Sequence, residues 1–420
     1  MKSKLKKIWK IIGPGFITGA SDDDPSGVAT YFQTGAKFGY TQLWTALFSF
    51  PFMVAIQEMC GRIGLITGKG LASVIKSNFS RKILYGSVFL LAIANIINIG
   101  ADFGAMAASL QLLFDIPFAI LLIGLTFFIV VLEIYVPYKN YNSILKYLCL
   151  FLFAYVFTAF LIKQDWIEVV YHLFVPKIFF SKEYFLNIVA ILGTTISPYL
   201  FFWQTDEEVE EEVKKHELVA MGKGTPHFTK KDVGTMRYDT GMGMFLSNLI
   251  MFFIILMAAV TFNIEGISNI ETANQAAEIL RPLAGEFTFL IFTIGIIGVG
   301  LLAVPVLAGS VSYAVSEAMG WKEGLYLKFR RAKGFYGVII VACAIGLFLN
   351  FLPIPPFKML YYAAAFNGVL ASPLIIIILL IANKKEIMGK YKNSWVSNTL
   401  GIIIAGLMFI CSIGLIISLL

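Results

Sequence analysis

Charge is scarce in this sequence. Only 14% of the 420 residues are Asp, Glu, Lys or Arg, where soluble domains carry about 25%. Stretches such as 83–101, 240–264, 284–316 and 398–420 have almost none. That shortage excludes a large water-soluble core, whose helices would show a charged residue in each helical period. Histidine is rarer still, and His172, His216 and His227 all fall in loops between apolar runs. With no His-x-x-x-His pair, phosphate-cradling loop or Ser-His-Asp grouping in a suitable context, no enzyme is expected. Cys60, Cys149, Cys343 and Cys411 lie far apart, in or beside apolar segments, and make no CxxC spacing. They support neither a zinc or redox motif nor a disulfide framework and read as packing residues. The first apolar run ends in aspartates rather than a small-residue cleavage site, so no cleavable leader is expected.

What the chain does have is apolar bulk: 58% hydrophobic residues, 38 of them Phe, and a mean hydropathy of +0.80. A protein of this size has too little interior to hide so many large side chains, so the runs are read as membrane spans. Eleven are expected, near 10–35, 41–65, 83–110, 117–135, 144–162, 184–212, 238–263, 284–316, 333–350, 357–382 and 396–419, in an all-α polytopic membrane protein. The net charge of +7 does not point to nucleic acid, because the basic residues sit in short segments between spans. With the N-terminus inside, only Lys37, Lys163, Lys177, Lys182, Arg281 and Lys358 lie outside, and the other 27 of the 33 lie inside. This is the asymmetry of cytoplasmic loops, and eleven spans then put the C-terminus outside. The expected location is the plasma membrane, with the lipid bilayer as partner and no obligate protein partner. Outer loops 163–183 and 264–283 are the longest, and IETANQAAEIL in the second predicts a short amphipathic helix.

Two spans carry breaks. In IIGPGFITGASDDDPSG, Pro25 lacks an N–H and clashes with the preceding turn, so the helix is expected to break near Asp24, with Ser26 and Gly27 extending the break. In ILGTTISPYLFFWQ, Gly193, Thr194, Thr195 and Ser197 weaken the helix before Pro198 interrupts it. Spans one and six are five apart, and interrupted helices at matching positions in two halves point to an inverted-repeat transporter with its site at the breaks. The halves would be 1–162 and 184–382, with 396–420 as an additional span. A carboxylate beside freed carbonyls and a half-helix terminus is a hard oxygen site for a cation, and Asp24 is the first candidate. Asp22 and Asp23 diverge from it by about 100° per residue and are placed on a water-filled route or as proton carriers. Asn367 in span ten offers an amide oxygen to the site, or an interhelical hydrogen bond. Asp102 in span three is either functional or structurally paired. Gln57 and Glu58 line an inner vestibule or reach the interface. The acidic run Asp206, Glu207, Glu208, Glu210, Glu211 and Glu212 focuses cations at the inner mouth, or is a solvated helix end paired with Lys214 and Lys215.

GPGFITGASDDDPSG, FGYTQLW and GTTISPYL together resemble the natural resistance-associated macrophage protein (Nramp) family of divalent-metal transporters, and the resemblance covers nearly all spans. It implies the amino-acid-transporter-like, LeuT-like five-plus-five inverted repeat with helices one and six broken. In the family an Asp-Pro-Gly-Asn motif binds metal on helix one; here Asp24-Pro25-Ser26-Gly27 keeps the aspartate and replaces the asparagine by Gly27. On helix six the family's Ala-x-x-Met-Pro-His corresponds to Thr194-x-x-Ser197-Pro198-Tyr199. Ser197 thus stands for the ligand methionine, and Tyr199 for the histidine associated with proton movement. The helix-ten glutamine matches Asn367, and the helix-three acidic pair maps onto Ile99 and Asp102, one acid short. Implied metal contacts are Asp24, Gly27, Thr194, Ser197 and Asn367. Losing the soft thioether favours Mg²⁺, Ca²⁺ or Mn²⁺, and the smaller residues leave space for an ion that keeps its water. This pattern resembles the Nramp-related magnesium transporters of bacteria. The resulting expectation is uptake of Mg²⁺ or Mn²⁺, without a permanently bound cofactor and without obligatory proton coupling. The alternatives are a proton-coupled Mn²⁺ or Fe²⁺ symporter, an amino-acid carrier of the same fold, and a metal-gated receptor or structural membrane protein.

Overall fold

A proline fixes the point where the chain first turns out of helical geometry, and the computed structural model, which describes residues 13–136, 138–161, 164–263, 266 and 273–419, shows the same device used twice. The first span is α1 (Pro14–Asp22) plus α2 (Pro25–Phe38). A 3₁₀ turn, Gly39–Gln42, swings the chain through 106° into α3 (Trp44–Thr67). The short α4 (Leu71–Asn78) leads to α5 (Arg81–Leu113) and α6 (Phe118–Tyr135). The fifth span is α7 (Tyr138–Leu148) and α8 (Phe153–Leu161), and a loop helix, α9 (Trp166–Phe174), follows it. The sixth is α10 (Lys182–Thr195) plus α11 (Pro198–Lys214). Then come α12 (Lys230–Ala258), α13 (Ala273–Met319), α14 (Lys333–Leu349), α15 (Pro356–Asn383), the four-residue α16 (Lys385–Met388) and α17 (Trp395–Leu419).

By length and apolar content alone, seven helices among the described residues can cross a bilayer. The difference from eleven has a physical source. At 9 and 14 residues, α1 and α2 are too short singly; α3 qualifies only together with the segment before it, as one bent pair; the fifth span is divided, and α14 has only 17 residues. Two loop expectations change. The residues expected to form a separate amphipathic helix belong, from Ala273 on, to the first turns of the 47-residue α13. The 163–183 loop instead holds α9, whose first two turns begin at Asp165, its carboxylate accepting from Ile167 and Glu168 N–H.

In both broken spans the residue before the proline is extended (Asp24 ψ 170°, Ser197 ψ 134°), and the proline opens the next helix. That is the geometry proline imposes on its predecessor and tolerates at a first helical position. The first half-helix is clamped to α12. The Asp239 carboxylate of α12 accepts from the N–H groups of Gly13 (2.8 Å), Gly15 (2.8 Å) and Phe16 (3.3 Å), capping the start of α1. One turn on, a Cβ at Gly19 would lie 2.1 Å from the Gly243 carbonyl carbon, and one at Gly15 would lie 2.6 Å from Thr240 backbone. The small residues at 15 and 19 thus bring two backbones together, as in other membrane helix pairs. Packing is equally close between α10 and α15, where a Cβ at Gly193 would meet the Ala364 carbonyl at 2.1 Å. Large apolar side chains such as Phe127 on α6, Ile402 and Ile410 on α17 and Phe89 on α5 face outward, as lipid-facing positions do.

Candidate cation site at the helix breaks

The two breaks meet. A Cβ at Gly27 would sit 3.0 Å from Thr194 Oγ1 and 3.2 Å from the Asp22 carbonyl oxygen, so the first turn of α2 faces the end of α10 across a gap that a side chain would close. Asp24 is buried at the junction and fully hydrogen-bonded. Its Oδ1 accepts from Gly27 N–H (2.7 Å) and the Ser26 hydroxyl (2.6 Å), and its Oδ2 accepts from Asn98 Nδ2 (2.8 Å). It is the N-cap of α2, and a charged acceptor at that end also interacts favourably with the half-helix dipole. Three donors hold the carboxylate in one orientation.

Freed backbone groups are shared across the junction. Tyr199, the first residue after Pro198, donates its hydroxyl to the Ser21 carbonyl at the end of α1 (2.7 Å). The Ser310 hydroxyl of α13 donates to the Tyr199 carbonyl (2.9 Å). Ser197 turns back on its own helix: its hydroxyl donates to the carbonyls of Gly193 and Thr194, both at 2.8 Å. It satisfies the end of α10, and only its oxygen lone pairs remain to face a cation.

Several buried acceptors around the breaks make no hydrogen bond: Thr194 Oγ1, Asn98 Oδ1 and Asn367 Oδ1. Asn367 is 1% exposed and precedes Gly368, where α15 packs directly against α10. Such orphaned oxygens in a buried place call for a partner. Asp22 accepts from Ser247 through Oδ2 (2.6 Å) and leaves Oδ1 unpaired, while neither carboxylate oxygen of Asp23 or Asp102 has a partner. Gln57 is buried with its amide unpaired. Glu58 is engaged by two arginines: Arg62 (2.9 Å) and Arg237 (2.8 Å) both pair with it, and Arg62 also donates to Asn393 Oδ1 (2.6 Å) and the Tyr391 carbonyl. That network ties α3 and α12 to the segment after α16.

Asn98 was missed by sequence reasoning, which took Ile99 and Asp102 from span three. The signal was present: Asn95, Asn98 and Asp102 lie at i, i+3 and i+7, on one helical face of an otherwise apolar span. Among the described residues no three His, Cys, Asp or Glu side chains are arranged to hold a metal. The junction therefore offers one anchored carboxylate with neutral oxygens, a set that suits a hard ion retaining part of its water.

The fold and this junction define a polytopic carrier built on broken helices. Among solved structures, the chain is similar to the manganese transporter of Eremococcus coleocola in complex with an aromatic bis-isothiourea substituted compound, with a TM-score of 0.77 at 16% identity over 99% of this chain and 88% of that one. It is also similar to Mhp1, a nucleobase-cation-symport-1 family transporter, with a TM-score of 0.61 at 14% identity over 97% and 91%. The model of the natural resistance-associated macrophage protein-like family matches residues 15–418, and the chain belongs to that family. A sequence relative, the divalent metal cation transporter MntH of Caldanaerobacter subterraneus subsp. tengcongensis, is 28% identical over 97% of this chain and 92% of its own length. That of Erwinia tasmaniensis is 25% identical over 74% and 73%. The LeuT-like arrangement with helices one and six broken is thereby the architecture of this protein, and its family is one of transporters, not enzymes.

Proposed function

We propose that this protein carries divalent metal cations across the plasma membrane by alternating access, taking the ion at the junction of the two helix breaks. The observation that carries the reading is Asp24: one carboxylate held by three donors where α1, α2, α10 and α11 lose their regular hydrogen bonds. Asp24 supplies the charge. Thr194 Oγ1, Asn367 Oδ1, the Ser197 oxygen and carbonyls near Gly27 face what remains of the ion's water. The halves 1–162 and 184–382 rock about this point, with the N-terminus and the face bearing 214–229 and 320–332 cytoplasmic. The finer reading is Mg²⁺, with Mn²⁺ also accepted, because no thioether or imidazole stands in the set to favour a soft ion. Uptake need not be coupled, since the membrane potential contributes about 2.3 kcal/mol per charge per 100 mV and a divalent ion gains twice that.

A second reading, proton-coupled Mn²⁺ or Fe²⁺ uptake, is favoured by the manganese and divalent-metal names of the relatives and by the unpaired carboxylates of Asp23 and Asp102. One experiment separates the two: flux of Mg²⁺, Mn²⁺, Ca²⁺ and Fe²⁺ into vesicles holding an internal pH reporter. Mg²⁺ entry without internal acidification supports the first. Mn²⁺ entry with acidification and no Mg²⁺ flux replaces it with the second, and failure to move any of the four ions removes both.

A further inference from the structure

The acidic run at the end of the sixth span is not a solvated helix end. Glu211 pairs with Lys214 (2.8 Å) and Lys215 (3.9 Å), and Asp206, Glu207, Glu208, Glu210 and Glu212 are all buried. Tertiary packing encloses α11 on a side that its sequence marks as polar. Glu210 is half accounted for: its Oε1 accepts from the Tyr313 hydroxyl and from Leu325 N–H, both at 2.5 Å, while its Oε2 has no partner. Asp206 is not. It is 0% exposed, and neither of its oxygens has a hydrogen-bond partner.

Asp206 faces a second carboxylate. Gly70 precedes α4, and a Cβ there would lie 1.7 Å from Asp206 Oδ1 and 2.1 Å from Glu317 Oε1. The two oxygens enter the same glycine notch and are at most 3.8 Å apart. Glu317, at the end of α13, is oriented by the start of α4: its Oε2 accepts from Ser73 N–H (3.0 Å). Its Oε1 makes no hydrogen bond of normal geometry. Glu323 and Glu210 stand within electrostatic reach of Asp206. The nearby ammonium of Lys76 is engaged by the Glu317 carbonyl (2.9 Å). Buried carboxylates packed this closely cannot all carry charge unless a cation or protons stand between them.

We propose that Asp206 and Glu317 form a second divalent-cation site, separate from the helix breaks, on the face assigned above to the cytoplasm. Two anionic oxygens at this spacing fit the first shell of one hard cation that keeps the rest of its water, the way Mg²⁺ and related ions are held by one or two carboxylates. The site joins α11, the inner half of a broken span, to α13 and α4. An ion there ties that half-helix to its neighbours and slows transport when the cation accumulates inside. The sidedness of this regulation rests on the proposed topology; the binding does not.

The test is Mn²⁺ binding to the full-length purified protein, followed by calorimetry and by the Mn²⁺ paramagnetic resonance signal. Wild type is expected to bind two Mn²⁺ per chain and D24N one; D24N with D206N binds none. E317Q, whose amide oxygen still accepts from Ser73 and so preserves the cap on α4, should weaken the residual site at least tenfold in the D24N background. If D24N alone removes all Mn²⁺, the two carboxylates share a proton and the proposal is overturned. Retention of the residual Mn²⁺ at unchanged affinity in both D206N and E317Q overturns it as well. These counts do not depend on the transport reading: unchanged metal flux in D24N, with the second Mn²⁺ still bound, would sink that reading alone. In vesicles, millimolar internal Mn²⁺ should slow uptake by wild type and not by D206N.

Discussion

Asp24 shows how one side chain is committed by its neighbours. Its carboxylate is aimed by Asn98, Ser26 and the Gly27 amide, and groups that orient a ligand typically affect metal affinity by about 10–100-fold when removed. Asn98→Ala should therefore weaken Mn²⁺ binding within that range while leaving the helices in place. Asp24→Asn, which removes the charge itself, should all but abolish binding at the breaks. Titration calorimetry reads both, and normal affinity in Asp24→Asn would take that residue out of the site. Selectivity is a matter of two further positions. Ser197→Met with Gly27→Asn should raise Mn²⁺ and Cd²⁺ over Mg²⁺ in competition flux. The new side chain at 27 must displace the Thr194 hydroxyl, which lies only 3.0 Å from its Cβ position, so adding Thr194→Ala should improve folding of the pair. An unchanged competition profile would mean that ligand softness does not set the choice.

At the scale of elements, the breaks matter because α1 and α10 are short and must be held by something other than their own length. For α1 this is the seam with α12. Gly19→Ala puts a methyl group 2.1 Å from the Gly243 carbonyl carbon, and forced overpacking costs about 1–3 kcal/mol. A clear fall in melting temperature is expected in detergent. Gly86, in α5, has open space around its Cβ position, so Gly86→Ala should gain about 0.5–1 kcal/mol from helix propensity. Opposite signs for two glycine-to-alanine changes test the seam directly; equal shifts would show that α1 is not tightly docked. Asp239→Asn keeps the size of the α1 cap but removes its charge and one of its two acceptor oxygens, and should loosen α1 as read by faster proteolysis near residue 13.

At the scale of the whole molecule, the buried carboxylates packed beside loop 320–332 should make stability respond to pH. Burial, together with the neighbouring Glu317 and Glu210 charges, pushes the Glu323 carboxyl up to about 9 from an ordinary 4.5. The folded chain then holds that proton where the unfolded chain has released it. Its contribution to stability is complete below about pH 4.5 and is lost as pH rises toward 9. In metal-free buffer, Glu323→Gln should flatten the decline of melting temperature between those values; a slope identical to wild type would place Glu323 in contact with bulk water.

The sequence by itself determined the membrane class, the order of the spans and the location of both breaks, because hydropathy, proline and pre-proline geometry are local properties. It also singled out Asp24, since a carboxylate next to Pro25 inside an apolar run has few other uses. Only the tertiary structure decided what surrounds each side chain. It placed Asn98 on Asp24, spent the Ser197 proton on its own helix, enclosed Glu58 between two arginines, and buried an acidic run whose composition reads as solvated. Partners that are 74 residues apart for Asp24 and Asn98, or about 110 for Asp206 and Glu317, meet through helix packing. No local pattern encodes that choice.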